Sequence, residues 1–259
     1  MTQRAPAMYI GHGSPMFALQ PGKAGALLNE FSRYFTDVKA VLMISPHWMT
    51  NGLALTAADE LDTIHDFYGF PDLLYRVTYK APGDQKTADL ISQHLKSAGY
   101  EVSLDANRGR DHGAWVPMLH LLPEANIPVI QLSLDRTLNS DGLIKLGETL
   151  KMLRDEGIAV IASGSLTHNL YEIQPEQAPP VSYADRFEKW VRNSVEKRDA
   201  ERLSNPEQFC DDFKRAHPTA EHYVPLLVAL GASDEADQLQ VLEGGILHGV
   251  ISMESYGWV

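Results

Sequence analysis

A chain of 259 residues, 44% hydrophobic and 22% charged, has an ordinary globular composition and is long enough to bury a core without a disulfide or structural metal. Its 22 Lys and Arg against 34 Asp and Glu leave a charge of −12, which argues against binding a nucleic-acid backbone or an anionic membrane. The single cysteine, Cys210, excludes an internal disulfide and a thiolate zinc cluster, and its acidic neighbours in NPEQFCDDF disfavour a reactive thiolate. The opening stretch MTQRAPAMYIGHGSP lacks the apolar run of a signal peptide, and no segment approaches the roughly 20 apolar residues of a membrane span. A cytoplasmic location is expected.

In chain order, AMYIGHG reads as a short strand. Residues 22–35, GKAGALLNEFSRYF, space Ala26, Leu27, Phe31 and Tyr34 like one helix face. VKAVLMIS is a strand, followed by LALTAA and YRVTYKA (Tyr75 to Ala81) as further strands. GDQKTADLISQHLKSAGY is an amphipathic helix stopped by Gly99. EVSLDA is a strand, AWVPMLHLL begins a helix and IPVIQLSL is a buried strand. SDGLIKLGETLKMLRDEG is a helix with Ser140 placed to cap it and Gly157 to end it. IAVIASGS is another buried strand. Asp185 to Arg198 and Glu221 to Leu230 read as helices, and QLQVLEGG and LHGVISMES as closing strands. Continuously apolar strands alternating with helices imply an α/β fold. The expectation is one domain over residues 1–259, with a mixed, mostly parallel central sheet and helices on both faces. In such sheets, sites gather beyond the carboxyl ends of the strands.

Ten histidines stand in the chain. His94 reads as a solvated helix residue, His120 as a helix residue satisfied locally and His248 as a strand residue in the core or at its edge. Three others share a context. MYIGHGSP delivers His12, VLMISPHW delivers His47 and IAVIASGSLTHN delivers His168, each just past an apolar strand. Three strands of one sheet would bring these imidazoles to one edge, and neutral imidazole is the commonest metal ligand. In AHPTAEHYVPLL, Thr219 is a candidate cap, and either Glu221 or His222 can face that site, but neighbours on a helix point in different directions. TIHDFYGFP adds His65 and Asp66. RGRDHGAWVP adds Arg108, Arg110, Asp111 and His112, the last at a helix start where it can act as a proton donor.

Taken together, GHGSP, SPHW, HDFYGFP, RGRDHGAWVP, SGSLTHNL and AHPTAEHYVPLL resemble the LigB-type class III extradiol ring-cleavage dioxygenases, and within them the 4,5-DOPA extradiol dioxygenase branch. The resemblance runs over essentially the whole chain. It implies a metal-dependent enzyme that opens a catechol ring with O2. It implies His12, His47 and His222 as metal ligands, with Glu221 the competing choice for the third. It implies His168 as acid/base or as a fourth ligand, and His112 as a histidine near the substrate. One divalent metal is expected, Fe(II) for activity or Zn(II) as found, since three neutral histidines also suit zinc. Arg110 is a candidate partner for a substrate carboxylate, and Tyr68, Phe67 and Trp48 are candidates to wall the ring. The alternative is a zinc-dependent hydrolase on the same fold, with His168 as general base. A serine hydrolase is disfavoured because GHGSP and SGSL do not form the Gly-x-Ser-x-Gly elbow.

Overall fold

In chain order the elements are β1 (Ala7–Gly11), α1 (Gly22–Phe31), β2 (Ala40–Thr50), β3 (Leu53–Thr56), α2 (Gln85–Ser97), β4 (Val102–Asp105), α3 (His112–Leu121), β5 (Val129–Asp135), α4 (Ser140–Leu150), β6 (Ile158–Gly164), α5 (Ser182–Glu196), α6 (Ala200–Ser204), α7 (Pro206–Phe209), α8 (Phe213–Ala216), α9 (Pro225–Ala232), β7 (Leu239–Leu242), β8 (Ile246–Leu247), β9 (Ile251–Ser252) and β10 (Ser255–Trp258). The structure, a computed structural model, describes residues 4–259. Eight strands form one sheet in the order β4-β3-β5-β2-β6-β1-β10-β7. The central strands β5, β2, β6 and β1 run parallel, while β3 meets β5, and β10 meets β1 and β7, in antiparallel fashion.

Every residue of β1, β5 and β6 is buried. A sheet with one wet face would alternate, so both faces of this sheet are covered. Helix α9 packs on β6 and β1 and against α4, and α3 packs on β2 and against α1. The mixed, mostly parallel α/β architecture expected from the sequence is therefore the one observed. No helix among the described residues is long and apolar enough to cross a membrane.

Several local expectations change. Tyr75 to Ala81 is not a strand. It is a strap held by side chains, with the Tyr79 N–H on Thr63 Oγ1 at 3.0 Å, His65 Nε2 on the Val77 carbonyl at 2.9 Å and the Tyr79 hydroxyl on the Leu122 carbonyl at 2.9 Å. Asn139, not Ser140, caps α4, because its side chain accepts from the Gly142 N–H at 2.9 Å. LHGVISMES is split into β8 and β9, since His248 and Gly249 both take positive φ and turn the chain. The helix expected from Glu221 begins as a 3-10 turn over Ala220–His222, and α9 starts at Pro225, whose fixed φ suits a first helical position.

The stretch VLMISPHWMT is the most informative difference. Strand β2 does not stop before His47 but continues to Thr50. Its pairing with β5 slips between Ile44 and Met49, so Ser45 to Trp48 bulge out of register. A bulge tolerates Pro46, which cannot donate to the ladder, and it re-aims the next side chain. His47 is thereby delivered at the sheet edge from within a strand.

Backbone must also approach closely there. A Cβ on Gly164 would lie 2.2 Å from the His222 carbonyl oxygen. Gly164→Ala is therefore expected to push the His222 turn outward. It should cost about 1–3 kcal/mol of stability and weaken metal binding. Chemical denaturation and metal titration check this, and an unchanged metal affinity would show that the close approach is not needed.

Candidate metal centre

His12 leaves β1 with its backbone N–H on the Gly164 carbonyl at 2.9 Å, which ties the ends of β1 and β6 together. Its ring is held in one tautomer. Nδ1 lies 3.2 Å from Ser163 Oγ, and that hydroxyl donates its own proton to the Gly113 carbonyl at 2.5 Å. Ser163 can then only accept, so Nδ1 carries the proton and Nε2 keeps its lone pair. His222 is set in the same way, with Nδ1 3.1 Å from Glu221 Oε1. A carboxylate behind an imidazole orients it and leaves the far nitrogen for a metal. His47 Nδ1 lies 3.9 Å from Asp66 Oδ2, and its Nε2 sits 3.3 Å from His12 Nε2.

The three rings form a near-equilateral triangle, with centroids 5.2, 5.4 and 5.0 Å apart. A nitrogen from each lies within 4.8 Å of the others. Across that 3.3 Å, His47 either donates an Nε2 proton to the His12 lone pair or, with its proton on Nδ1 toward Asp66, shares a cation with it. Nitrogens about 2.0–2.1 Å from a tetrahedral metal sit about 3.3 Å apart, so the donor set fits a divalent ion. His168 stands beside this trio rather than in it. Its ring stacks on His222 at 3.6 Å and 10°, and its nitrogen groups with Glu221 and His222. His112 opens α3 beneath its cap Asp111 and packs 4.0 Å from His47. Asp66 Oδ1 accepts from both the His112 backbone N–H at 2.9 Å and its Nδ1 at 3.0 Å.

Burial sets the protonation. It holds His12 and His222 well below the usual histidine value, reinforced by the neighbouring imidazoles. It lowers His47 to about 3 and His168 to about 4. Burial alone would raise Asp66, but its hydrogen bond to His112 prevails and lowers it. Neutral imidazoles are the form a metal needs. In metal-stripped protein these shifts carry a cost in acid. The unfolded chain takes up protons as pH falls through about 6.5, while folded His168 resists until about 4 and His47 until about 3. Stability is thus complete above about pH 6.5 and is lost progressively below it. The unfolding free energy of stripped protein, read from urea titrations, should fall between pH 6.5 and 5 by about 2 kcal/mol for each of His47 and His168. A flat profile would show that the rings are not buried neutral.

Above the trio lies a cavity of about 610 Å³, open at one side. Met16, Phe67, Phe70, Leu170, Ile173 and Ile251 form its apolar wall, and His47, His112, His168, His222, Glu221 and His248 its polar part. The residues expected to bind substrate are placed unevenly. Phe67 lines the cavity. Arg110 does not. It is fully buried, with Nε on the Val129 carbonyl at 2.9 Å and Nη2 on the Pro82 carbonyl at 2.7 Å. Trp48 lies under the Arg108 guanidinium at 4.5 Å, and Tyr68 is 92% exposed; neither lines the cavity. The arginine sits in a buried polar stretch where its only acceptors are main-chain carbonyls, which composition alone does not reveal. Of the three histidines with bland readings, His94 and His120 bond the Thr149 and Phe17 carbonyls, and His248 sits on the cavity rim. Cys210 has its thiol pushed up by burial and by Asp212 and Asp211, as its acidic setting suggests.

Ser163 had no signal in the sequence, because its role exists only once β6 lies beside β1. Asp66 had half a signal, a polar residue in an aromatic loop, but not its partner.

The family described as the catalytic LigB subunit of aromatic ring-opening dioxygenase matches residues 7–257. A "4,5-DOPA dioxygenase extradiol" of Beta vulgaris is 37% identical, over 96% of this chain and 94% of its own. One of the same name from Escherichia coli (strain K12) is 34% identical, over 97% and 94%. The crystal structure of an uncharacterized protein, JW3007, from Escherichia coli K12 superposes with a TM-score of 0.80 at 29% identity, covering 98% of this chain and 99% of that one.

Proposed function

This chain belongs to the LigB family of ring-opening dioxygenases, and from that premise we propose that it opens a catechol ring with O2 at one divalent metal held by His12, His47 and His222. It is an extradiol ring-cleavage dioxygenase. The observation that carries the metal reading is the imidazole triangle with two Nδ1 protons tied back to Ser163 and Glu221, which leaves nitrogens converging beneath the cavity. Glu221 serves as the carboxylate behind His222 rather than as the third ligand. When bound, Fe(II) would supply Lewis acidity and a route for electrons to O2, whereas Zn(II) supplies Lewis acidity alone.

The chain's own groups handle position and protons. Phe67 and Phe70 wall the ring from one side. His168, neutral at pH 7, is the base that takes a catechol hydroxyl proton. Asp66 holds the Nδ1 proton of His112, so Nε2 presents a lone pair to the cavity that takes the second catechol proton and returns it as the ring opens. The whole of residues 1–259 acts as one catalytic domain. The names of the relatives make L-DOPA the first catechol to offer.

Asp66→Asn retains an acceptor for His112 but removes the charge that steadies its imidazolium. It is expected to lower kcat about tenfold or more with metal content unchanged. An unaltered kcat would remove Asp66 from the mechanism. The reading itself is tested by oxygen uptake. Metal-stripped protein is reloaded anaerobically with Fe(II) or with zinc and given L-DOPA and simple catechols. Uptake with Fe(II) alone and a yellow product are expected. No uptake with any catechol at full Fe(II) occupancy, together with ester or amide turnover by the zinc form, would favour the hydrolase instead.

A further inference from the structure

We propose that Glu188 is a positioning residue for His168: through Ser252 it holds β9 against the loop that carries the imidazole. This rests on the reading of His168 as the base and adds the device that sets it in place.

The path is a run of buried side-chain bonds from α5 to the cavity wall. Helix α5 packs on β9 and presents Glu188 there, 7% exposed, to accept from the Ser252 hydroxyl at 2.5 Å. The Ser252 oxygen accepts in turn from the Glu254 N–H at 3.2 Å, which keeps the hydroxyl proton directed at Glu188. From Ser252 the strand is fastened to the loop of residues 165–168 at three points. The Ser252 N–H donates to Thr167 Oγ1 at 3.1 Å, the Thr167 hydroxyl to the Val250 carbonyl at 2.7 Å and the Ser165 hydroxyl to the Ser252 carbonyl at 3.0 Å. Beside Thr167, His168 forms an antiparallel bridge with Ile251, and both residues line the cavity. A shift of β9 is therefore a shift of the base. The other side of the loop is held separately, by the His168 N–H on the Ala216 carbonyl at 2.8 Å and by His217 Nε2 on the Leu166 carbonyl at 2.7 Å.

A carboxylate at this depth costs free energy, and its charged neighbours offset little of that. Glu254 follows Ser252 and repels it. Asp185, a turn earlier on α5, is paired with Lys189 at 2.7 Å. Arg192, a turn later, is committed to Glu254 with Nε at 3.0 Å, and the same carboxylate takes the Tyr256 hydroxyl at 2.5 Å. Burial above all, opposed by the Ser252 bond and reinforced by Glu254, pushes the Glu188 carboxyl up to about 7. Above that pH it is ionised and draws Ser252 in through a charge-assisted bond. Below it the carboxyl is neutral and the bond keeps about half its strength. His168 is held best on the alkaline side.

Zinc-loaded protein with ¹⁵N-labelled histidine reads this device without turnover. The His168 ring signals, identified by their loss in His168→Ala, should shift with a midpoint at about pH 7, where the ring itself stays neutral. Glu188→Gln keeps an acceptor for Ser252 and cannot titrate, so the shift should vanish. With Fe(II) and a catechol, kcat of the unaltered protein should rise through about pH 7. Glu188→Gln should lose that limb and run about tenfold slower at alkaline pH, with metal content unchanged. Ser252→Ala cuts the link and should do the same, whereas in a His168→Ala background Glu188→Gln should change nothing further. His168 signals that do not move in this range, or a limb that survives both variants, would overturn the proposal. The expected shift with no oxygen uptake from any catechol would instead overturn the ring-opening reading and leave the positioning standing.

Discussion

Replacing His47 with alanine should remove stoichiometric metal from the protein and leave the fold in place. The fold survives because the imidazole lies in a bulge of β2, outside the register that pairs Ala40 to Ile44 with β6 and Val41 to Ile44 with β5. Burial first, and then the neighbouring His112, hold His47 at about 3, so its removal takes no ion pair from the fold. The metal is lost because two imidazoles remain where three converge, and Nε2 of His47 faces that of His12. Activity should vanish with the metal, a loss of at least about 10⁴-fold if chemistry runs only through it. Metal analysis after gel filtration, with circular dichroism to verify the fold, gives the answer. Full metal content in the variant would mean that His47 is not a ligand.

His168→Ala should separate the two functions of the centre. Its ring stacks on His222 but its nitrogen does not join those of His12 and His47. Metal content is therefore expected to stay near that of the unaltered protein. The proton transfer assigned to His168 should fail, lowering kcat about 10²–10⁴-fold with a smaller change in KM. A variant that loses its metal instead would make His168 a fourth ligand, closing the coordination sphere in the manner of a structural zinc site.

These two variants probe residues that the sequence already set apart. His12, His47 and His168 were legible because each follows a run of continuous apolar residues, although His47 proves to sit in a bulge within β2, and parallel strands bring their carboxyl ends to one edge. The alternation of strands and helices was legible for the same reason. What escaped was set by contacts between distant segments. Tyr75 to Ala81 has the β-branched and aromatic character of a strand, yet its partners are the side chains of Thr63 and His65 and a carbonyl at Leu122. Arg110 has the chemistry to meet a carboxylate, but the Val129 and Pro82 carbonyls reach it first. His222 and Glu221 were indistinguishable as neighbours. The fold tells them apart by position: a His222 nitrogen groups with those of His12 and His47, and Glu221 lies on its other nitrogen at 3.1 Å.

Labelled dioxygen tests the central claim most directly. Fe(II)-loaded protein is given ethylcatechol under ¹⁸O₂, and the product is reduced at once to trap the new aldehyde. The account predicts label in both new groups, one oxygen in the carboxylate and one at the former aldehyde carbon, because the ring carbons are opened by both atoms of O2. A product with no label would contradict ring opening by O2 at this centre.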